Sequence, residues 1–134
     1  MIDQPEALAP VTRTLQRVAE RHGDPIAAVY AELFRRHPET EALFLLDRDG
    51  AVRGSMLANI VEVLLDLEAD QRYGLNMLRA EMLNHGNLGV PPTLFFDFFD
   101  VLKTTTAELL ADEWTAADER AWDALIALAR TAAD

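Results

Sequence analysis

His85 lies in the stretch NHGNLGVPP (residues 84–92), where a helical pattern meets Gly86, Gly89 and a Pro91-Pro92 pair. It continues the apolar spacing of Leu75, Leu78 and Met82 by one more step. An imidazole in that position has two readings. It is a half-buried residue that suits the negative end of a helix dipole, or it is an axial nitrogen aimed into a pocket. The segment behind the Pro-Pro pair is rich in phenylalanine and offers an aromatic wall. A flat apolar cofactor needs both that nitrogen and such a slot. Tyr30 falls on the apolar side of its own helix, near Ile26, Val29 and Phe34. It is either a core tyrosine with its hydroxyl at the edge, or a donor to a small polar ligand. Glu81 precedes His85 by one helical turn. It is either a solvated acid or an acceptor for the imidazole Nδ1 proton, which would raise the basicity of the ring.

Other chemistries lack their residues. The chain has no cysteine, which excludes disulfides, thiolate catalysis and thiolate-held metals. Ser55 is the only serine and has no nucleophile-elbow context. There is no HExxH, no Gly-rich phosphate loop and no paired-carboxylate pattern specific to hydrolysis. The 134 residues are 50% hydrophobic, enough for a single domain over residues 1–134 with one core. Twenty-three acidic against 12 basic residues give a formal charge of -11, which repels phosphate backbones and anionic membrane surfaces, so neither nucleic acid nor membrane is an expected partner. MIDQPEALAP lacks the features of a signal peptide, and no apolar run reaches membrane-span length. The expected location is the cytoplasm.

Helices must position these side chains. Leu8, Val11, Leu15 and Val18 form one stripe, broken at Gly23, with Asp24 as the expected N-cap and Pro25 opening the next helix. That helix carries Ile26, Val29, Leu33 and Phe34. Pro38 starts a short segment, and LDRDGAVRG reads as a turn-rich connection, with a hairpin around Asp49-Gly50 as the lesser alternative. A helix from about Ser55 to Leu67 turns Leu57, Ile60, Val61, Leu64 and Leu65 inward. EADQRYG is a polar loop before the His85 helix. Two strongly apolar helices follow, roughly 91–110 with Phe95, Phe98, Phe99 and Leu102 on one face, and 116–132 with Trp122, Leu125, Ile126 and Ala129 inward. Thr115 and Asp118 have the spacing of a capping box. The spacing predicts an all-α domain of six or seven helices.

Three of these stretches share a resemblance. VYAELFRRHPETEALF (29–44), HGNLGV (85–90) and LLADEWTAADERAW (109–122) resemble, in order, segments of bacterial single-domain haemoglobins and of the globin domains of flavohaemoglobins. The resemblance covers most of the chain and implies a globin fold around haem b. By that resemblance His85 is the proximal iron ligand and Tyr30 the distal hydroxyl. Phe44 packs on the haem face, Leu57 is the apolar distal residue, and Val90, Phe95, Leu102 and Met82 line the pocket. Arg53 stands near the usual distal glutamine or histidine, across a one-residue gap.

Two departures stand out. Glu81 replaces the usual apolar residue one turn before the histidine. Phe95 replaces a tyrosine that buttresses the histidine in some members. The implied function is binding of O2 or another diatomic gas such as NO, for transport, storage or sensing. An NO dioxygenase or peroxidase activity with an external reductase, and a haem-free sensor or interaction module, are the alternatives. The resemblance leaves the oligomeric state and any signalling partner open.

Overall fold

The structure is a computed structural model that describes residues 8–134, so most of the N-terminal stretch assessed for a leader lies outside the described residues. Six α-helices and three short 3-10 segments make up those residues, without a strand among them. The helices are α1 (Pro10–His22), α2 (Ile26–Arg36), α3 (Ala51–Glu68), α4 (Gly74–Asn87), α5 (Pro92–Leu110) and α6 (Ala116–Arg130). None of them is long and apolar enough to cross a membrane.

Five of the helices, α1, α2, α3, α4 and α6, start where a side chain accepts from N–H groups that otherwise go unpaired, while α5 opens on Pro91-Pro92 without one. For α6 this is a full capping box. Asp118 N–H donates to Thr115 Oγ1 at 3.1 Å, and Thr115 N–H donates to the Asp118 carboxylate at 3.0 Å. For α1 the partner is remote. Ala9 has no capping side chain, and Glu68 at the end of α3 accepts instead from the N–H groups of Val11 and Thr12, each at 2.7 Å.

α3 begins at Ala51, four residues earlier than the spacing predicts. Asp47 explains the difference. Its carboxylate accepts from the N–H groups of Val52 and Arg53 at 3.0 Å each, so the chain after Asp49-Gly50 winds into a helix rather than a hairpin. The backbone amides and the Arg53 guanidinium also decide the Asp47 charge. Burial works to raise its carboxyl, but these donors outweigh burial and hold it below its ordinary value.

The turn into α4 is tied by Asp66, which accepts from the N–H groups of Arg72, Tyr73 and Gly74. Gly74 is required there, because a Cβ would stand 2.8 Å from Asp66 Oδ2 and 2.9 Å from Leu67 Cδ2. At its far end α4 runs two residues past His85, so Gly86 stays helical. Gly89 then turns the chain at φ 90°, and Val90 N–H donates back to the His85 carbonyl at 2.9 Å.

Packing places α1 against α5 and α6, α2 against α5, and α3 against α4. The core joins Val11, Val29, Leu64, Phe99, Leu102 and Trp122. Trp122 Nε1 donates to the buried Thr14 hydroxyl at 3.0 Å, which itself donates to the Val11 carbonyl. Leu57 and Leu64 of α3 are buried as expected. Leu65 is exposed, and Val63 and Leu67 take inward places. The reason is that Leu64 and Leu65 point about 100° apart on the helix, so with Leu64 fully buried Leu65 turns toward solvent.

Candidate functional site

A cavity of about 430 Å³ opens between α3, α4, α5 and the 3-10 segment Pro38–Phe44. That volume lies in the range of small-molecule and cofactor sites. Most of its lining is apolar: Leu33 from α2, Leu43 and Phe44 from the 3-10 segment, Val52, Met56 and Ile60 from α3, and Leu94, Phe95 and Phe98 from α5. Leu88 and Val90 close the end beyond α4. The polar lining side chains are Thr40, Asn59, Glu81 and His85, and none of the described lining residues is Lys or Arg.

His85 stands at the last turn of α4 with its side chain 23% exposed. Its Nδ1 lies 2.8 Å from the Glu81 carbonyl oxygen. A carbonyl only accepts, so Nδ1 carries the hydrogen and the neutral ring keeps its lone pair on Nε2. The Glu81 carboxylate lies 3.8 Å from the same nitrogen. Glu81 therefore faces the ring with its backbone acceptor first and its charge second. The Phe95 ring packs on the imidazole with centroids 5.1 Å apart. Two constraints, one hydrogen bond and one aromatic contact, fix the plane of the ring before any ligand arrives.

The neighbouring aromatic cluster is built on Tyr30. Its ring meets Phe44 edge-on at 5.4 Å and lies 5.6 Å from Phe98. The Tyr30 side chain is buried and is not part of the cavity lining. Its hydroxyl donates to the Arg53 carbonyl at 3.0 Å. Burial lifts the pKa of that hydroxyl well above its ordinary value, so it stays a donor at any ordinary pH. Arg53 turns away from the lining as well. Its Nε donates to the Asp47 carboxylate at 3.0 Å, and its terminal nitrogen donates to the Asp47 carbonyl at 2.8 Å.

Of the residues singled out in the sequence, the structure brings His85, Phe44, Val90 and Phe95 to one cavity, together with Glu81. Leu57 and Leu102 are buried in the core beside it, and Met82 packs against that core from a half-buried position. Met56, Asn59 and Ile60 were missed. Their signal is the spacing 52, 56, 59, 60 along one helix face, of which only Val52 lies outside the predicted helix; Ile60 was read as inward there but without a site role.

A slot of this size and polarity, with one fixed imidazole whose Nε2 is free, suits a flat apolar group with a metal that needs an axial nitrogen. No curated protein and no solved structure matches the sequence. The sequence model of one family, Globin, matches residues 27–132, a span that contains the whole cavity lining. The chain belongs to the globin family.

Proposed function

We propose that the protein binds haem b, which His85 would hold, and takes a diatomic gas, O2 or NO, for storage, transport or sensing. One observation carries the reading. The imidazole of His85 lines an apolar cavity with Nδ1 tied to the Glu81 carbonyl and Nε2 left as the free donor. Haem, when bound, supplies an iron whose open position accepts the gas. The residues of this chain do the rest. His85 sets the position of the group along the cavity. Phe44, Val90 and Phe95, which line the cavity, would pack against it and keep water out, where most of the binding free energy would arise. Leu57, Leu102 and Met82 back those walls. The Glu81 carboxylate stands 3.8 Å from Nδ1, beside the backbone acceptor that orients the ring.

The test is a haemin titration of the purified protein. A sharp Soret band saturating at one equivalent is expected, with His85→Ala losing it. A wild-type chain that takes up no stoichiometric haem overturns the reading. A second reading, a haem-free globin-fold module, draws on the lack of Lys or Arg among the described lining residues, which leaves the haem carboxylates without a cation within that lining. The colour of the freshly purified protein separates the two.

A further inference from the structure

Leu43, Leu45 and Leu46, at and just beyond the 3-10 segment Pro38–Phe44, are 61%, 71% and 92% exposed. Leu88, just past α4, is 78% exposed and lines the cavity together with Leu43. Part of the bare surface of Leu43 and Leu88 therefore belongs to that cavity. Leu45 and Leu46 are not in its lining, so their exposure has a different cause. Leu43 and Leu88 also border a second recess, of about 660 Å³, between the 3-10 segment and the start of α5. Pro91 and Leu94 add to its apolar lining.

The leucines are presented on a turn that is fixed from several sides. Asp47 N–H donates to the Phe44 carbonyl at 3.0 Å, and Gly50 N–H donates to the Asp47 carbonyl at 3.2 Å. The Asp47 side chain ties the same turn to α3. At the other end the Thr40 hydroxyl donates to the His37 carbonyl at 2.7 Å, and His37 Nε2 lies 2.7 Å from the Asp97 carboxylate on α5. Apolar side chains grouped on a rigid turn mark a contact surface, because little ordering is left to be done when a partner arrives.

Charge selects the partner. Glu39, Glu41 and Asp49 are exposed beside these leucines, against Arg48 and Arg130 on the basic side. Arg130 is the only Arg or Lys among the described lining residues of the recess, and Asp97 there is already held by His37 and Arg36. The whole chain carries a formal charge of -11. A second copy would bring the same excess of acid to the contact, and an anionic membrane would be repelled as well. We propose that this end of the molecule docks a partner protein through a cationic amphipathic helix. Its apolar face covers Leu45, Leu46 and the recess, and its Lys or Arg side chains meet Glu39 and Glu41. The proposal is independent of the haem reading.

The probes are two synthetic helical peptides, one of leucine and lysine and one of leucine and glutamate, titrated against the full chain. The lysine peptide is expected to bind, more weakly as salt rises, and the glutamate peptide is not. Leu45→Ser combined with Leu46→Ser should weaken the lysine peptide about tenfold. Glu39→Gln combined with Glu41→Gln should weaken it about fivefold at low salt and flatten its salt dependence. Leu83, 65% exposed on α4, lies outside both linings. Leu83→Ser should leave the affinity within about twofold, because a single exposed leucine is ordinary. Equal binding of the two peptides overturns the proposal, as does an equal loss from Leu83→Ser. A concentration-dependent dimer that the Leu45 and Leu46 substitutions abolish assigns the surface to a second copy and overturns it. Flotation with phosphatidylcholine vesicles that the same substitutions abolish assigns it to a membrane and overturns it too.

Discussion

The α4 side and the α3 side of the cavity treat polar groups in opposite ways. On α4 a polar ring is brought into the cavity. The hydrogen of His85 is engaged by the Glu81 carbonyl so that the opposite nitrogen is free to face inward. On α3 the polar groups are drawn out of the cavity. Asp47 gathers the backbone and guanidinium of Arg53, the Arg53 carbonyl takes the Tyr30 hydroxyl, and Val52, Met56 and Ile60 remain. Both sides use the same elementary device, a carbonyl or carboxylate that absorbs N–H or O–H groups. The device exposes a lone pair on one side and hides donors on the other. A single cavity thus combines an imidazole side with a largely apolar one.

Removing either half of this contrast has measurable consequences. The largest is expected from His85→Ala, which deletes the only imidazole among the described lining residues. Haem affinity should fall by about 100-fold or more in the haemin titration, with helix content by circular dichroism unchanged. Asp47→Ala removes the cap and the anchor of Arg53 together. Its thermal midpoint should drop by about 3–6 °C, and the amides of Val52 and Arg53 should exchange faster with solvent. Tyr30→Phe keeps the aromatic cluster and loses one hydrogen bond. A loss of about 1 kcal/mol in urea unfolding is expected, and a loss near zero would mean that the hydroxyl does not hold α3.

The smallest effect is confined to acid. The Asp47 carboxyl in the folded chain sits below its ordinary 3.8. Its contribution is therefore fully present above pH 4 and is lost as pH falls through the lower folded value. In Asp47→Asn the pH dependence of the unfolding midpoint should flatten below about pH 4. A profile identical to that of the wild type would remove Asp47 from the account.

How much of this was legible in the residues differs between the two sides. The His85 side could be read directly. The spacing of Leu75, Leu78, Met82 and His85, the glycines and the Pro-Pro pair all point to one helix ending near a pocket, and the structure places the helix and the cavity there. The phenylalanines of α5 were equally plain, because four apolar positions on one face leave little choice of burial.

The α3 side was harder. Asp-Gly followed by Ala-Val-Arg-Gly suits a turn as well as a helix start, and the deciding contact comes from Asp47, whose capping role cannot be seen in spacing alone. Starting the helix four residues late leaves out Val52, and the inward stripe through Leu57, Ile60 and Leu64 draws attention away from the neighbouring face of Met56 and Asn59. For Tyr30 the apolar side of its helix was evident, but the direction of its hydroxyl depends on where the Arg53 carbonyl lands, which is a property of the assembled helices. The Glu81 carbonyl is likewise invisible in a reading of side-chain types, although it is the group that orients His85.

The remote cap on α1 bears on where this folding unit begins. The family match starts at residue 27, after α1 has ended. Yet Glu68 closes the first turn of α1 across 57 positions of chain, and Trp122 finds its indole partner in Thr14 across 108. A chain cut at the matched span would leave a carboxylate and a buried indole N–H without these partners. It would also strip the covering helix from α5 and α6. Closing loops of this length costs chain entropy, which these contacts offset in the folded state. α1 is thus a clamp that ties the start of the described chain to the end of α3 and to α6.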